Sequence, residues 1–205
     1  MTVAPFTLFA FSLFSPRFAA NLVAPGAAEV HAGGGINAFL PMVAVGAGAG
    51  AGDAVDFAGQ YETHAGVVHV LTLGSRLRLG DRWAVGLAAS DGFYALEESG
   101  GLRFARFPWG NGTSLLPSIA RSWTTAKGTH VGASLAANVQ LVGLHEEFGT
   151  IERRWDPSLR DARAEISAEW GGAFLVFRAV VPIEAEIGVI GYLPMIAAGY
   201  TWGLP

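Results

Sequence analysis

Histidines are the residues most able to do chemistry in this sequence. The chain has five of them: His31, His64, His69, His130 and His145. His64 and His69 flank a predicted turn with Glu62 nearby, a grouping suited to binding a metal ion or transferring protons. The close ligand spacing of a motif such as HExxH is missing, however. Histidines that pair with carboxylates in an interior or at a rim explain the pattern better, so we predict no metal site and no cofactor.

Serines and acidic residues supply a second set of catalytic candidates. This set comprises Ser90, Asp91, Ser114, His145, Glu146, Glu147 and Asp156. A hydrolase would need such residues as a Ser–His or Asp–His pair. The Gly-x-Ser-x-Gly motif around a nucleophilic serine is absent. We therefore predict that the protein is not an enzyme, with an enzyme that acts on lipids at a membrane rim as the alternative.

Alternation of apolar with polar or small residues predicts the elements that position these side chains. In LTLGSRLRLGDRWAVGLAAS (71–90) the odd positions are mostly large and apolar, and the even positions are polar or small. The same period predicts ten strands: Glu29–Leu40, Met42–Gly52, Val55–His64, Val67–Leu79, Trp83–Ala95, Leu115–Thr125, His130–Leu141, Asp161–Trp170, Ala173–Ile187 and Tyr192–Trp202. Most are long enough to cross a bilayer at a tilt, which takes about 9–11 residues. A three-residue turn, Gly80-Asp81-Arg82, should pair Leu79 with Trp83.

The less apolar faces of these strands carry most of the charge. In a barrel they would line the lumen, where opposite charges can pair. In a soluble exported β-sandwich, the alternative fold, they would face solvent. The predicted lumen-facing set is Asp56, Glu62, His64, Arg76, Arg78, His130, Asn138, Gln140, Arg163, Glu165, Glu169, Arg178, Glu184 and Glu186.

Glycine-rich stretches do not predict nucleotide binding. GAGAGAG at 46–52 lacks the Lys-Ser/Thr that follows in a phosphate-binding loop, and GGG at 33–35 precedes no helix. Small residues inside a narrow barrel instead leave room for large side chains opposite, or for a chain segment in the lumen.

Composition separates this chain from ordinary soluble domains. Hydrophobic residues make up 51% and charged residues only 15%, against about 25% charged in a typical soluble domain. The net charge of −4 and the lack of a basic run exclude nucleic acid as a partner. No uninterrupted apolar stretch reaches the roughly 18–20 residues of a transmembrane helix. Residues 1–28 form an apolar N-terminal segment, either a signal-like remnant or a segment in the lumen or periplasm, and residues 29–205 form the barrel.

The connections between strands differ at the two ends of the predicted barrel. Short turn signals follow the second, fourth, sixth and eighth strands, whereas Leu96–Ser114 and Leu144–Arg160 are predicted to be long loops. Outer-membrane barrels have short periplasmic turns and longer external loops. Both termini would then be periplasmic.

Aromatic residues near the predicted strand ends suit a membrane interface. They are Trp83, Trp123, Trp170, Tyr200 and Trp202. Packing at the edge of a protein core is the alternative explanation.

The segment ERRWDPSLRD (Glu152–Asp161) mixes both charges around a tryptophan. Its Arg153, Arg154 and Arg160 could meet the phosphates of lipopolysaccharide, with Trp155 adding apolar contact to lipid or to another envelope protein. An ordinary solvated loop is the alternative.

Amphipathic strands, tight Gly-Asp turns and the closing AAGYTW strand resemble those of small bacterial outer-membrane β-barrel proteins, over about Glu29–Trp202. The resemblance implies an all-β, closed, up-and-down transmembrane barrel of about ten antiparallel strands, within a range of about 8–12. It implies outer-membrane lipid as the surroundings, with no ligand or oligomeric state specified. A structural, anchoring or partner-binding role follows, with a narrow pore as a further possibility.

Overall fold

The computed structural model describes residues 23–37, 40–66, 68–94, 113–147, 150–183 and 194–204. Ten strands form one closed antiparallel barrel in which each strand pairs with its neighbours in sequence and the first pairs with the last. The predicted fold class is therefore confirmed. The strands are β1 (Ala28–Asn37), β2 (Leu40–Gly50), β3 (Val55–His64), β4 (Val68–Leu79), β5 (Trp83–Tyr94), β6 (Ser114–Thr124), β7 (His130–Glu147), β8 (Thr150–Trp170), β9 (Ala173–Pro182) and β10 (Met195–Leu204).

The wall of the barrel reverses the usual burial of side chains. On β4, Thr72 and Arg76 point inward and are buried, whereas Leu71, Leu73 and Leu77 point outward and are exposed. Leu73 keeps 59% of its surface exposed. A soluble protein rarely leaves a continuous belt of this kind uncovered. Among the described residues, no helix is long and apolar enough to cross a membrane.

The predicted three-residue turn between β4 and β5 is confirmed. Leu79 pairs with Trp83 across Gly80-Asp81-Arg82, and Gly80 has a φ of 76°, a conformation that favours glycine. Because side chains alternate strictly, this pairing fixes which residues of both strands face outward.

The two ends of the barrel can be defined by their connections. Residues 51–54, 80–82, 125–129 and 171–172 form short turns at one end, called the turn end here. The start of β1 and the end of β10 lie at the same end. The opposite end, where β5 leads into residues 95–113 and β9 into 183–194, is called the loop end.

The prediction of a long loop at Leu144–Arg160 is wrong. Strands β7 and β8 continue through this region as a hairpin joined by residues 148–149 alone, with Glu147 opposite Thr150. Two register shifts in β8 lie around Pro157, which cannot donate a backbone hydrogen bond. The bulges accommodate the proline at a position where no backbone N–H is needed. The stretch therefore forms a strand although its charge and proline are typical of a loop. Residues 142–147 and 150–156 are called the β7–β8 arm below.

Other strand ends differ slightly from the prediction. The first strand ends at Asn37 rather than Leu40, and β9 ends at Pro182 rather than Ile187. The last strand begins at Met195, after Pro194, and not at Tyr192.

Candidate functional site: the barrel interior

An ion pair between neighbouring strands occupies the interior towards the turn end. Arg76 on β4 lies opposite Asp56 on β3, and its Nε donates to the carboxylate at 2.9 Å while its terminal nitrogen forms a second contact. Asp56 is 0% exposed. The backbone N–H of Val23 also donates to Asp56, at 2.9 Å. A buried carboxylate with three such donors is well compensated for its loss of water.

A row of polar side chains continues along β3. Glu62, also 0% exposed, accepts a hydrogen bond from the amide of Gln60 and lies 3.4 Å from Nε2 of His64. The amide oxygen of Gln60 is 3.1 Å from Nε2 of His31 on β1, which links the row to a strand two positions away.

The opposite wall holds the third charged group. Arg178 on β9 contacts Glu165 on β8 through Nε at 3.0 Å and a terminal nitrogen at 2.5 Å, and the two residues are directly paired in the sheet.

A fourth group joins β7 to β8. Asp161 accepts hydrogen bonds from Asn138, at 2.7 Å, and from Nε of Arg163, at 2.6 Å. All three residues are buried. With the groups on β3, β4 and β9, this places hydrogen-bonded polar side chains on opposite walls of the interior.

Apolar side chains are also buried in the interior. One buried cluster joins β9, β10 and β2, and consists of Met42, Ala44, Phe174, Val176, Met195 and Ala197. Inward-facing glycines make room for large side chains, as the glycine pattern predicted. A Cβ on Gly46 would meet the ring of His31 at 2.5 Å, and one on Gly199 would collide with the ring of Phe174.

The chain just before β1 enters the barrel at the turn end. Pro25 bridges to Gly50, Gly26 reverses the chain with a φ of 71°, and the side chain of Val23 is buried. Gly48 and Gly50 leave room for this segment, because a Cβ on either glycine would contact residues 23–24. Residues 1–22, most of the predicted N-terminal segment, lie outside the described residues.

The predicted lumen-facing residues occupy three kinds of position. Nine are buried inside the barrel: Asp56, Glu62, His64, Arg76, Asn138, Gln140, Arg163, Glu165 and Arg178. Glu169 is half-buried, while Arg78 and His130 share the inward side but are exposed. Each of these two lies at a strand end, at the mouth of the barrel. Glu184 and Glu186 lie outside the described residues.

The barrel wall separates the histidines that sequence spacing grouped together. His64 points inward beside Glu62, whereas His69 points outward and its Nδ1 lies 2.5 Å from the hydroxyl of Tyr61. Within the described ranges, no group of three or more His, Asp or Glu side chains could hold a metal ion.

Of the catalytic candidates, the structure brings Ser90 and Ser114 together as direct partners in the sheet. Ser90 and Asp91 are adjacent in β5 and so point to opposite faces of the wall. Ser114 is buried in the interior, and Asp156 lies in the arm, 3.9 Å from Arg160. The side chains of residues 145–147 are outside the described set.

The five predicted interface aromatics all lie at the turn end and point outward. Trp83 begins β5, Trp123 and Trp170 lie at the ends of β6 and β8, and Tyr200 and Trp202 lie near the end of β10. All are exposed, and the rings of Tyr200 and Trp202 are 5.1 Å apart.

The residues predicted to form a partner loop lie on strand β8 instead. Arg154 and Trp155 are exposed on the arm, and Trp155 keeps 70% of its surface exposed. Arg160, at the base of the arm, donates from Nε to the side-chain oxygen of Gln140 at 2.7 Å. The backbone of Arg153 belongs to the strand, and its side chain is outside the described set.

Several interior residues were missed by sequence reasoning. His31, Gln60 and Asp161 are buried members of the polar groups. Gln60 and Asp161 have the same strand parity as predicted lumen residues on β3 and β8, so parity identifies them, whereas β1 carries no predicted lumen residue to mark His31. The apolar interior cluster has no comparable signal, because both faces of β2 and β10 are apolar.

Two solved structures are similar to this chain. A de novo designed transmembrane β-barrel has 10% sequence identity and a TM-score of 0.40, with 90% of this chain and 100% of that chain covered. The translocator domain of the autotransporter NalP from Neisseria meningitidis has 12% identity and a TM-score of 0.33, with 87% and 86% covered. No protein-family model and no curated protein matches the chain. The closed ten-stranded antiparallel barrel itself agrees in fold with the predicted resemblance to small outer-membrane β-barrel proteins.

Proposed function

We propose that this protein is a bacterial outer-membrane β-barrel with a closed lumen, which serves as an anchor and presents the β7–β8 arm to a partner. The buried, paired polar groups of the interior are the observation that carries the proposal. These groups lie on β3, β4, β8 and β9, and a buried apolar cluster lies beside them on β2, β9 and β10. A barrel near eight strands has an interior that side chains can fill, whereas open channels need about 16–18.

The height of the apolar outer wall supports a membrane location. On β4 the outward residues from Leu79 to Leu71 are apolar apart from Ser75, and His69 follows. The eight residue steps from Leu79 to Leu71 span about 26 Å along the strand, or about 20 Å along the membrane normal at a tilt of about 40°. That height is close to the apolar band of outer-membrane barrels, which is about 25 Å.

The placement of the chain ends supports an orientation. The start of β1 and the end of β10 lie at the turn end, together with the short connections. With that end in the periplasm, both termini are periplasmic and the arm projects to the exterior.

The arm supports the partner-binding part of the proposal. An exposed tryptophan on a projecting hairpin, beside the exposed Arg154, resembles the aromatic and arginine anchors that dominate binding surfaces. Arg154 would donate hydrogen bonds to the phosphates of lipopolysaccharide, and Trp155 would contact its acyl region. Another envelope protein is the alternative partner.

Membrane fractionation combined with a gel-shift assay tests the anchor. We expect the protein in the outer-membrane fraction, extracted by detergent and not by alkali or salt. A folded barrel should migrate differently on a denaturing gel before and after boiling. A protein that stays in the aqueous phase and shows no shift on boiling would contradict the proposal.

A further inference from the structure

Arg121 lies on the outer wall of β6, near the turn end, and is held between two tryptophans. Trp83 is its direct partner in the sheet, and Trp123 is two residues further along the same face. The guanidinium carbon is 5.2 Å from the ring centroid of each. Contacts of this kind fix the position of the cation.

The protein does not neutralise this charge within its described part. The ion pairs of the described residues do not include Arg121, and its Nε is buried without a hydrogen-bond partner. A guanidinium has five N–H donors, and contact with ring faces leaves them free to donate. An acceptor from outside the chain would complete the arrangement.

The position of Arg121 on the wall indicates what that acceptor is. An outward arginine is costly at the centre of a bilayer and nearly free at its interface, where tryptophans also concentrate. The apolar belt of β5 begins at Trp83, so Arg121 lies where that belt ends. At this level the phosphates of lipid headgroups are the abundant anions.

We propose that Arg121, Trp83 and Trp123 bind the phosphate of an anionic glycerophospholipid at the turn end of the barrel. The guanidinium donates two parallel hydrogen bonds to phosphate oxygens, a geometry that arginine provides and lysine does not. The indole rings orient the guanidinium and cover the glycerol region. This inference rests on the membrane location in the proposed function.

Native mass spectrometry of the folded barrel in detergent, titrated with phosphatidylglycerol, tests the site. We expect Arg121→Gln to weaken binding of the first lipid by about tenfold, the loss of a charge-assisted hydrogen bond. Arg121→Lys should recover only part of the affinity. Arg78→Gln is the matched control, because it removes the same charge at the same end of the barrel but from the mouth. It should bind like the wild type.

Three outcomes would overturn the inference. One is wild-type affinity in Arg121→Gln, and another is equal weakening in Arg78→Gln, which would show an effect of net charge alone. The third is displacement of the lipid by millimolar inorganic phosphate. If Arg121→Gln shows no folded band on the gel, Trp83→Leu is tested instead, because it keeps the arginine. We expect Trp83→Leu to weaken lipid binding several-fold. Unchanged lipid affinity in Trp83→Leu would also overturn the inference. Lipid binding is measured on the folded barrel in detergent. A loss of the lipid site can therefore be distinguished from a failure of the protein to locate to the outer membrane.

Discussion

Strands β7 and β8 pass through two environments, the barrel and the arm. Inside the barrel each has a neighbour on both sides, and Asn138, Asp161 and Arg163 are buried together. Among the described residues, the two strands of the arm pair with each other apart from the N–H of Val142, which donates to the carbonyl oxygen of Thr113, and Trp155 is largely exposed. The same two strands therefore form part of a closed wall in the barrel and a two-stranded ribbon with an exposed tryptophan in the arm. An isolated two-stranded ribbon has little stability of its own.

Breaking the ion pair of Arg178 and Glu165 should have the largest effect. Arg178→Met leaves a buried carboxylate without its partner, so we expect a loss of about 3–5 kcal/mol in the free energy of unfolding. Urea unfolding of the barrel in lipid vesicles, followed by tryptophan fluorescence, measures it. The double variant Arg178→Met with Glu165→Leu removes both charges and should lose much less. A single-variant loss below about 1 kcal/mol would show that the interior is wet and screened.

Packing of the interior should have the next largest effect. A Cβ on Gly199 would collide with the carbonyl oxygen of Ala32 and the ring of Phe174, whereas one on Gly203 meets nothing within 4 Å. Both glycines lie on the same face of β10. We expect Gly199→Ala to cost about 1–3 kcal/mol and Gly203→Ala to cost almost nothing. Equal effects in the unfolding assay would contradict a tightly filled interior.

Changes in the arm should have the smallest effect on stability. Trp155→Ala removes a side chain that is mostly exposed, so the free energy of unfolding should change by less than about 0.5 kcal/mol. Binding to lipopolysaccharide or to an envelope extract should fall clearly in a pull-down assay, with Trp170→Ala at the turn end as the control. A large loss of stability would mean that the arm belongs to the folding core.

Much of the barrel could be predicted from alternation and turn chemistry. The two-residue turn at Gly171-Gly172 fixes the register that places Glu165 opposite Arg178, and the turn at 80–82 fixes Leu79 opposite Trp83. Strand parity then assigns each residue to the inner or outer face. These are local signals, since each depends on one hairpin.

The features that sequence reasoning missed depend on distant parts of the chain. The entry of Val23 into the barrel needs Asp56 and Gly50, far along the sequence. The inward orientation of Met42 and Met195 follows from closure of β1 on β10, since both faces of β2 and β10 are apolar. The arm was missed because charge and Pro157 resemble a loop, while its pairing depends on bulges that composition does not reveal.

Conductance across a planar lipid bilayer tests the closed lumen most directly. The folded barrel is reconstituted, and its insertion is checked by co-flotation with vesicles and by the gel shift on boiling. We predict no steady ohmic current from the inserted wild-type protein, because paired polar side chains and a buried apolar cluster occupy the interior from opposite walls. A stable, voltage-independent conductance from every inserted barrel would contradict the account and assign the protein a pore function.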